Sequence, residues 1–118
     1  MEIKILHEPI EEEEVRALAR AWHQTLVKGV ADVEREIIAL GGEWHMDANV
    51  RLIEESSSQE NLWGFNVYPD KKGTDALEFF SLINIRPAQG NREMELKDEG
   101  LREKIRTIVS TYIPFLEV

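Results

Sequence analysis

The stretch EEEEVRALARAWHQTLVKGVADVEREIIALGG, Glu11 to Gly42, decides how the fold is read. Four carboxylates open it, where they complement the positive end of a helix dipole. Val15, Leu18, Trp22, Leu26, Val30, Val33, Ile37 and Leu40 then follow at spacings of three and four. The pattern predicts one long amphipathic helix from Glu11 to about Leu40, stopped by Gly41 as a left-handed cap, with Gly42 freeing the chain to reverse. At 1.5 Å per residue such a helix is ~43 Å long, enough to overhang a small core and meet a second copy of the chain.

Working outward, Ile3 and Ile5 share one face of a short strand over residues 2 to 6, which His7-Glu8-Pro9 breaks. After the glycines, Trp44, Met46, Ala48, Val50 and Leu52 alternate with Glu43, His45, Asp47, Asn49 and Arg51, the period of a half-buried strand. A polar connection follows from Glu54 to Glu60. Leu62 to Tyr68 and Leu77 to Arg86 read as two further strands, and the Pro69 to Asp75 loop between them is too short for a helical crossover. Asp98 is placed to cap a last helix whose stripe is Leu101, Ile105, Ile108 and Tyr112, closed by Pro114. The expected fold class is α+β: a small antiparallel meander with an N-terminal strand, one long helix and one C-terminal helix on one face, in the order β-α-β-β-β-α. It forms a single domain over residues 1–118.

Composition narrows the function. The 118 residues carry 23 acidic and 14 basic side chains, a formal charge of −9, which opposes a nucleic-acid partner. No apolar run approaches the ~20 residues of a membrane span, and the acidic start Met1-Glu2-Ile3-Lys4 is unlike a signal peptide, so a cytoplasmic location is expected. Without cysteine there are no disulfides, thiolate metal sites or cysteine nucleophiles. Ser56-Ser57-Ser58 lacks the glycines of a nucleophile elbow and Gly41-Gly42 lacks a phosphate-loop lysine. No zinc-helix or dinucleotide fingerprint occurs, so no cofactor or metal is indicated.

The polar groups best suited to recognition gather in Ile83-Asn84-Ile85-Arg86-Pro87-Ala88-Gln89-Gly90-Asn91-Arg92, where an alternating strand runs into a loop. Alternation places Leu77, Phe79, Ser81, Ile83 and Ile85 toward the core. Glu78, Phe80, Leu82, Asn84 and Arg86 then lie on the other face, where Asn66 of the preceding strand can join them. With Gln89, Asn91 and Arg92 this makes a patch whose guanidinium forks suit carboxylate or phosphate oxygens. The competing reading pairs Arg86 and Arg92 with Glu78 and Glu93. His45 and Asp47, two apart on one expected strand face, form a candidate acid/base pair.

Several segments together carry a family resemblance: Asp32-Val33-Glu34, Gly41-Gly42-Glu43-Trp44-His45-Met46-Asp47, Trp63-Gly64-Phe65-Asn66 with Tyr68-Pro69, and Asn84 to Arg92. The chain resembles an uncharacterised prokaryotic family of small proteins, domain of unknown function 5674, over nearly its whole length. It departs from that pattern where Glu11 stands in place of a serine-type helix cap. The resemblance implies no activity, cofactor or catalytic residue. The sequence thus points to a small protein that binds a polar or anionic ligand, or a protein segment, at Asn66, Asn84, Arg86, Gln89, Asn91 and Arg92. An enzyme using His45 and Asp47 with Arg86 or Arg92 is the second reading, and a homodimer or adaptor built on the long helix is the third.

Overall fold

A computed structural model describes residues 2–118 and has the elements β1 (Ile3–Leu6), α1 (Glu12–Trp22), β2 (Val27–Asp32), β3 (Ile37–Gly41), α2 (His45–Glu54), β4 (Leu62–Val67), β5 (Leu77–Glu78) and α3 (Glu99–Tyr112). The strands make one antiparallel sheet in the order β1-β3-β2-β4-β5. The class is α+β, and the order of strand, helix, strands and helix is the expected one, with a further strand and an inserted helix. Among the described residues no helix is long and apolar enough to cross a membrane.

The expected long helix is instead a helix followed by a hairpin. The acidic first turn and the stripe Val15, Leu18, Ala19 build α1, which ends at His23, where Gln24 takes a left-handed conformation with φ 67°. Beyond it the chain contains Val27, Gly29, Val30 and Val33, residues that favour strands or weaken helices. Asp32 then reverses the chain. Its buried Oδ1 accepts from the N–H groups of Glu34 and Arg35, each at 2.9 Å, and Glu36 at φ 58° completes the β2–β3 hairpin. Ser57 donates to Asp32 Oδ2 at 2.6 Å, tying this turn to the end of α2. The helical spacing across residues 26 to 40 is coincidental. Nearly every residue of β2 and all of β3 are buried, and strands covered on both faces supply apolar side chains at any spacing.

A second correction concerns Trp44 to Leu52, which form α2 and not a strand. Asp47 Oδ2 accepts from the Trp44 N–H at 3.0 Å and caps the first turn. The buried positions are His45, Ala48, Asn49 and Leu52, a helical set, while three members of the apolar alternation, Trp44, Met46 and Val50, are exposed.

The third correction shortens the Leu77–Arg86 strand. Leu77, Phe79 and Ser81 are buried as alternation requires, but a 3-10 turn over Leu82–Asn84 then inverts the pattern, burying Asn84 and leaving Ile85 exposed. The cause lies in β4. A Cβ at Gly64 would sit 2.5 Å from Ser81 Cβ, so the bare backbone of Gly64 is what lets this segment close on the strand.

Two layers cover the sheet. On one face α1 and α3 pack Val15, Leu18, Ile105, Ile108 and Val109 against Ala31, Ile38, Leu40, Phe65 and Val67, so both expected helices share a face. On the other face, expected to be polar, α2 packs Ala48 and Leu52 against Val30, Ile37, Ala39 and Leu62. Lys28 and Asn66, paired across β2 and β4 on this second face, lie where the start of α2 leaves the sheet.

In the first layer Gly29 faces Phe65 closely, and an added Cβ would lie 2.4 Å from the buried ring. Gly29→Ala is expected to lower stability by about 1–3 kcal/mol through overpacking. Urea unfolding monitored by circular dichroism measures it, and an unchanged midpoint would refute this account of the layer.

Candidate functional site

The loop from Arg86 to Arg92 turns Arg86, Gln89 and Asn91 toward neighbouring backbone. The Arg86 guanidinium lies 3.7 Å from the centroid of the Trp63 ring and donates to the carbonyl of Gln59 at 2.7 Å, to that of Leu62, and to Gln89 Oε1 at 3.2 Å. Half-burial lowers its pKa. Gln89 Nε2 donates to the Glu60 carbonyl at 2.9 Å. Asn91 is buried, with Nδ2 facing the carbonyls of Asn84 and Glu93, each at 2.8 Å, and of Glu95 at 3.0 Å, while its Oδ1 accepts from Lys97 N at 3.1 Å. Asn84 pairs with the backbone of Gly64 in both directions, accepting from its N–H at 2.8 Å and donating to its carbonyl at 3.0 Å. It thereby continues a ladder that β5 has abandoned. Gln89 and Arg92 are exposed, and Arg92 alone in this set has no side-chain hydrogen bond or ion pair among the described residues. Neither Glu78 nor Glu93 pairs with either arginine; Glu93 pairs with Lys97 at 3.2 Å.

His45 and Asp47 do not share a face. Two residues apart on a helix, they are turned about 200° from each other, and Asp47 is engaged in capping. His45 is buried against the sheet, its Nε2 2.9 Å from the Phe65 carbonyl, so this nitrogen carries the proton when the ring is neutral. Burial pushes its pKa down to about 4, against the weaker opposing effect of that carbonyl.

Away from the loop, where Arg86 meets Gln89 and Asn91 meets Asn84, the expected site residues His45 and Asn66 meet in a cleft of about 480 Å³. Its walls are Trp44 and Met46 from the first turn of α2, Phe80, Leu82 and Ile83 from the segment beyond β5, and Met94; Lys28, His45 and Asn66 supply polar groups at the sheet. The seven large apolar residues that stand exposed among the described residues are Trp44, Met46, Val50, Ile53, Phe80, Leu82 and Ile85, all from α2 and the 80–85 segment. Leu82 is 66% exposed and Trp44 60%. Asn66 Nδ2 donates to Glu78 Oε1 at 2.8 Å and to the Phe80 carbonyl at 3.2 Å, whereas its buried Oδ1 receives no hydrogen bond. Burial lowers the pKa of Lys28, and the charge of Glu78 partly offsets this.

Sequence reasoning missed Lys28, Trp44, Met46, Phe80, Leu82, Ile83 and Met94. One signal was available: Phe80 and Leu82 are large apolar residues on what alternation made the polar side of their strand.

These features define a small α+β protein with an apolar cleft at one end of an antiparallel sheet. The chain belongs to the family described as protein of unknown function DUF5674, whose model matches residues 4–112. No curated protein and no solved structure matches it at a significant level.

Two outcomes are expected for the residues just placed. Asn91→Ala leaves buried carbonyls and an N–H without partners and should cost at least about 2 kcal/mol, whereas Arg92→Ala should change stability by less than about 0.5 kcal/mol. Equal effects of the two in chemical denaturation would contradict the loop's inward geometry.

His45 makes stability depend on pH. The unfolded ring titrates near 6.5 and the folded one near 4, so the folded state binds fewer protons between these values. Its contribution is complete above pH 6.5 and is lost at about 1.4 kcal/mol per pH unit as the pH falls toward 4. Subtracting the unfolding profile of His45→Gln from that of the wild type isolates this slope, and parallel profiles would show that His45 does not titrate as described.

Proposed function

We propose that the protein binds a small, mainly apolar molecule in the cleft between the start of α2 and the 80–85 segment. One observation carries this reading. The large apolar side chains left in water are gathered on two elements, and four of these seven, Trp44, Met46, Phe80 and Leu82, surround a volume within the roughly 300–1,000 Å³ of small-molecule sites. Each would lose about 25 cal/mol for every Å² left exposed, and a ligand covering them recovers that energy. The few polar groups, Lys28, His45 and Asn66, converge at one end, as orienting groups in such sites do. On this reading the Arg86–Arg92 loop acts at a distance. Apart from exposed Arg92, its side-chain donors engage backbone carbonyls, and these contacts brace the 80–85 wall.

A second reading has support in Val50 and Ile53, which continue the stripe of Met46 along α2 beyond the cleft. In that case the same face meets another protein, or a second copy of the chain.

The neutral fluorescent probe N-phenyl-1-naphthylamine separates the two. Saturable binding by the folded protein is expected, weakened at least tenfold by Leu82→Asp and unaffected by Val50→Asp. Sedimentation should show a monomer throughout. No probe binding by a folded protein, together with an oligomer that Val50→Asp dissociates, would favour the second reading and remove the first.

A further inference from the structure

We infer that the ligand of this cleft is a monoanionic amphiphile, its carboxylate seated on Lys28 and its apolar body held by Trp44, Met46 and Leu82. The inference rests on the small-molecule reading above and adds the chemistry of the ligand's polar end. It starts from the row of cross-strand neighbours Lys28, Asn66 and Glu78 on β2, β4 and β5. Asn66 stands between the two charges. Glu78 Oε1 is engaged by Asn66 Nδ2 at 2.8 Å and by the Tyr68 hydroxyl at 2.9 Å, and no carboxylate lies within ion-pair distance of Lys28 among the described residues. The lysine therefore presents a half-buried, unpaired ammonium to a space with apolar walls.

Covering that space with a purely apolar body would strip water from the ammonium and offer it no partner in return. A ligand that brings its own carboxylate removes this cost and forms a charge-assisted hydrogen bond. The other groups nearby do not compete for the role. His45 is neutral with its Nε2–H turned to Phe65, and Asp47 is held at the Trp44 N–H. A dianionic head such as a phosphate monoester is disfavoured because the chain carries a formal charge of −9, and repulsion grows with the charge brought in.

Competition against bound N-phenyl-1-naphthylamine tests this with ligands that share a ten-carbon chain: decanoate, decanol, decylamine and decyl phosphate. Decanoate should displace the probe at a concentration at least tenfold below that of decanol, and below those of the amine and the phosphate. Lys28→Met should erase the difference between decanoate and decanol, weakening decanoate and strengthening decanol, and Lys28→Arg should preserve it. If Lys28→Met does not fold, the order of the four ligands on the wild type and on Lys28→Arg decides the matter. Equal displacement by decanoate and decanol, or tightest binding of the amine or the phosphate, would overturn the inference and leave the apolar cleft standing. Failure of the probe itself to bind would remove both.

Discussion

The site depends on the pairing of the Asn84 side chain with the backbone of Gly64. One carboxamide satisfies both the N–H and the carbonyl of a buried residue in the middle of β4, work that a neighbouring strand would otherwise do. The pairing is available because Gly64 carries no side chain and Ser81 can approach closely. Once the chain has left the ladder in this way, its alternation is broken, so that Asn84 is buried and Ile85 is turned outward. A regular strand at this edge would have no reason to leave so large a residue in water.

The surrounding polar residues keep that departure in place. Asn91 holds the carbonyl of Asn84, Arg86 bridges the carbonyls of Gln59 and Leu62, and Gln89 takes that of Glu60. Irregular backbone buried beside a sheet leaves carbonyls with no ladder partner, and long side chains rich in N–H groups can reach them. Stacking of Arg86 on Trp63 adds a cation–π contact, which is stronger when the pair is shielded from water. The amides of Asn84, Gln89 and Asn91 and the guanidinium of Arg86 are thus engaged with backbone groups beside the cleft.

Charge and burial divide the second face of the sheet in two. Where α2 lies flat, Ala48 and Leu52 seal Val30, Ala39 and Leu62 away from water. Past its first turn the sheet carries Lys28 and Asn66, and His45 is the last helix residue pressed onto it. The boundary between sealed core and open cleft therefore coincides with the N-terminus of α2, set by Asp47 capping the Trp44 N–H.

What the sequence by itself determined is local. The acidic turn and stripe that begin α1, Asp98 as the cap of α3 with its Oδ1 3.0 Å from Leu101 N, and the run from Leu62 to Val67 all carry their own signals in neighbouring residues. The Asn84–Arg92 loop likewise stands out by its concentration of amide and guanidinium side chains. Tertiary structure alone decided the rest. Residues 27 to 41 look helical because strands buried on both faces have no polar side to reveal their period, and Trp44 to Leu52 look like a strand because exposed Trp44, Met46 and Val50 fall on alternate positions. The direction of a long polar side chain is likewise absent from the chain's local pattern. Whether Arg86 faces solvent or a row of backbone carbonyls depends on where Gly64 lets the backbone pass, a contact with Asn84 twenty residues on that only the folded sheet creates.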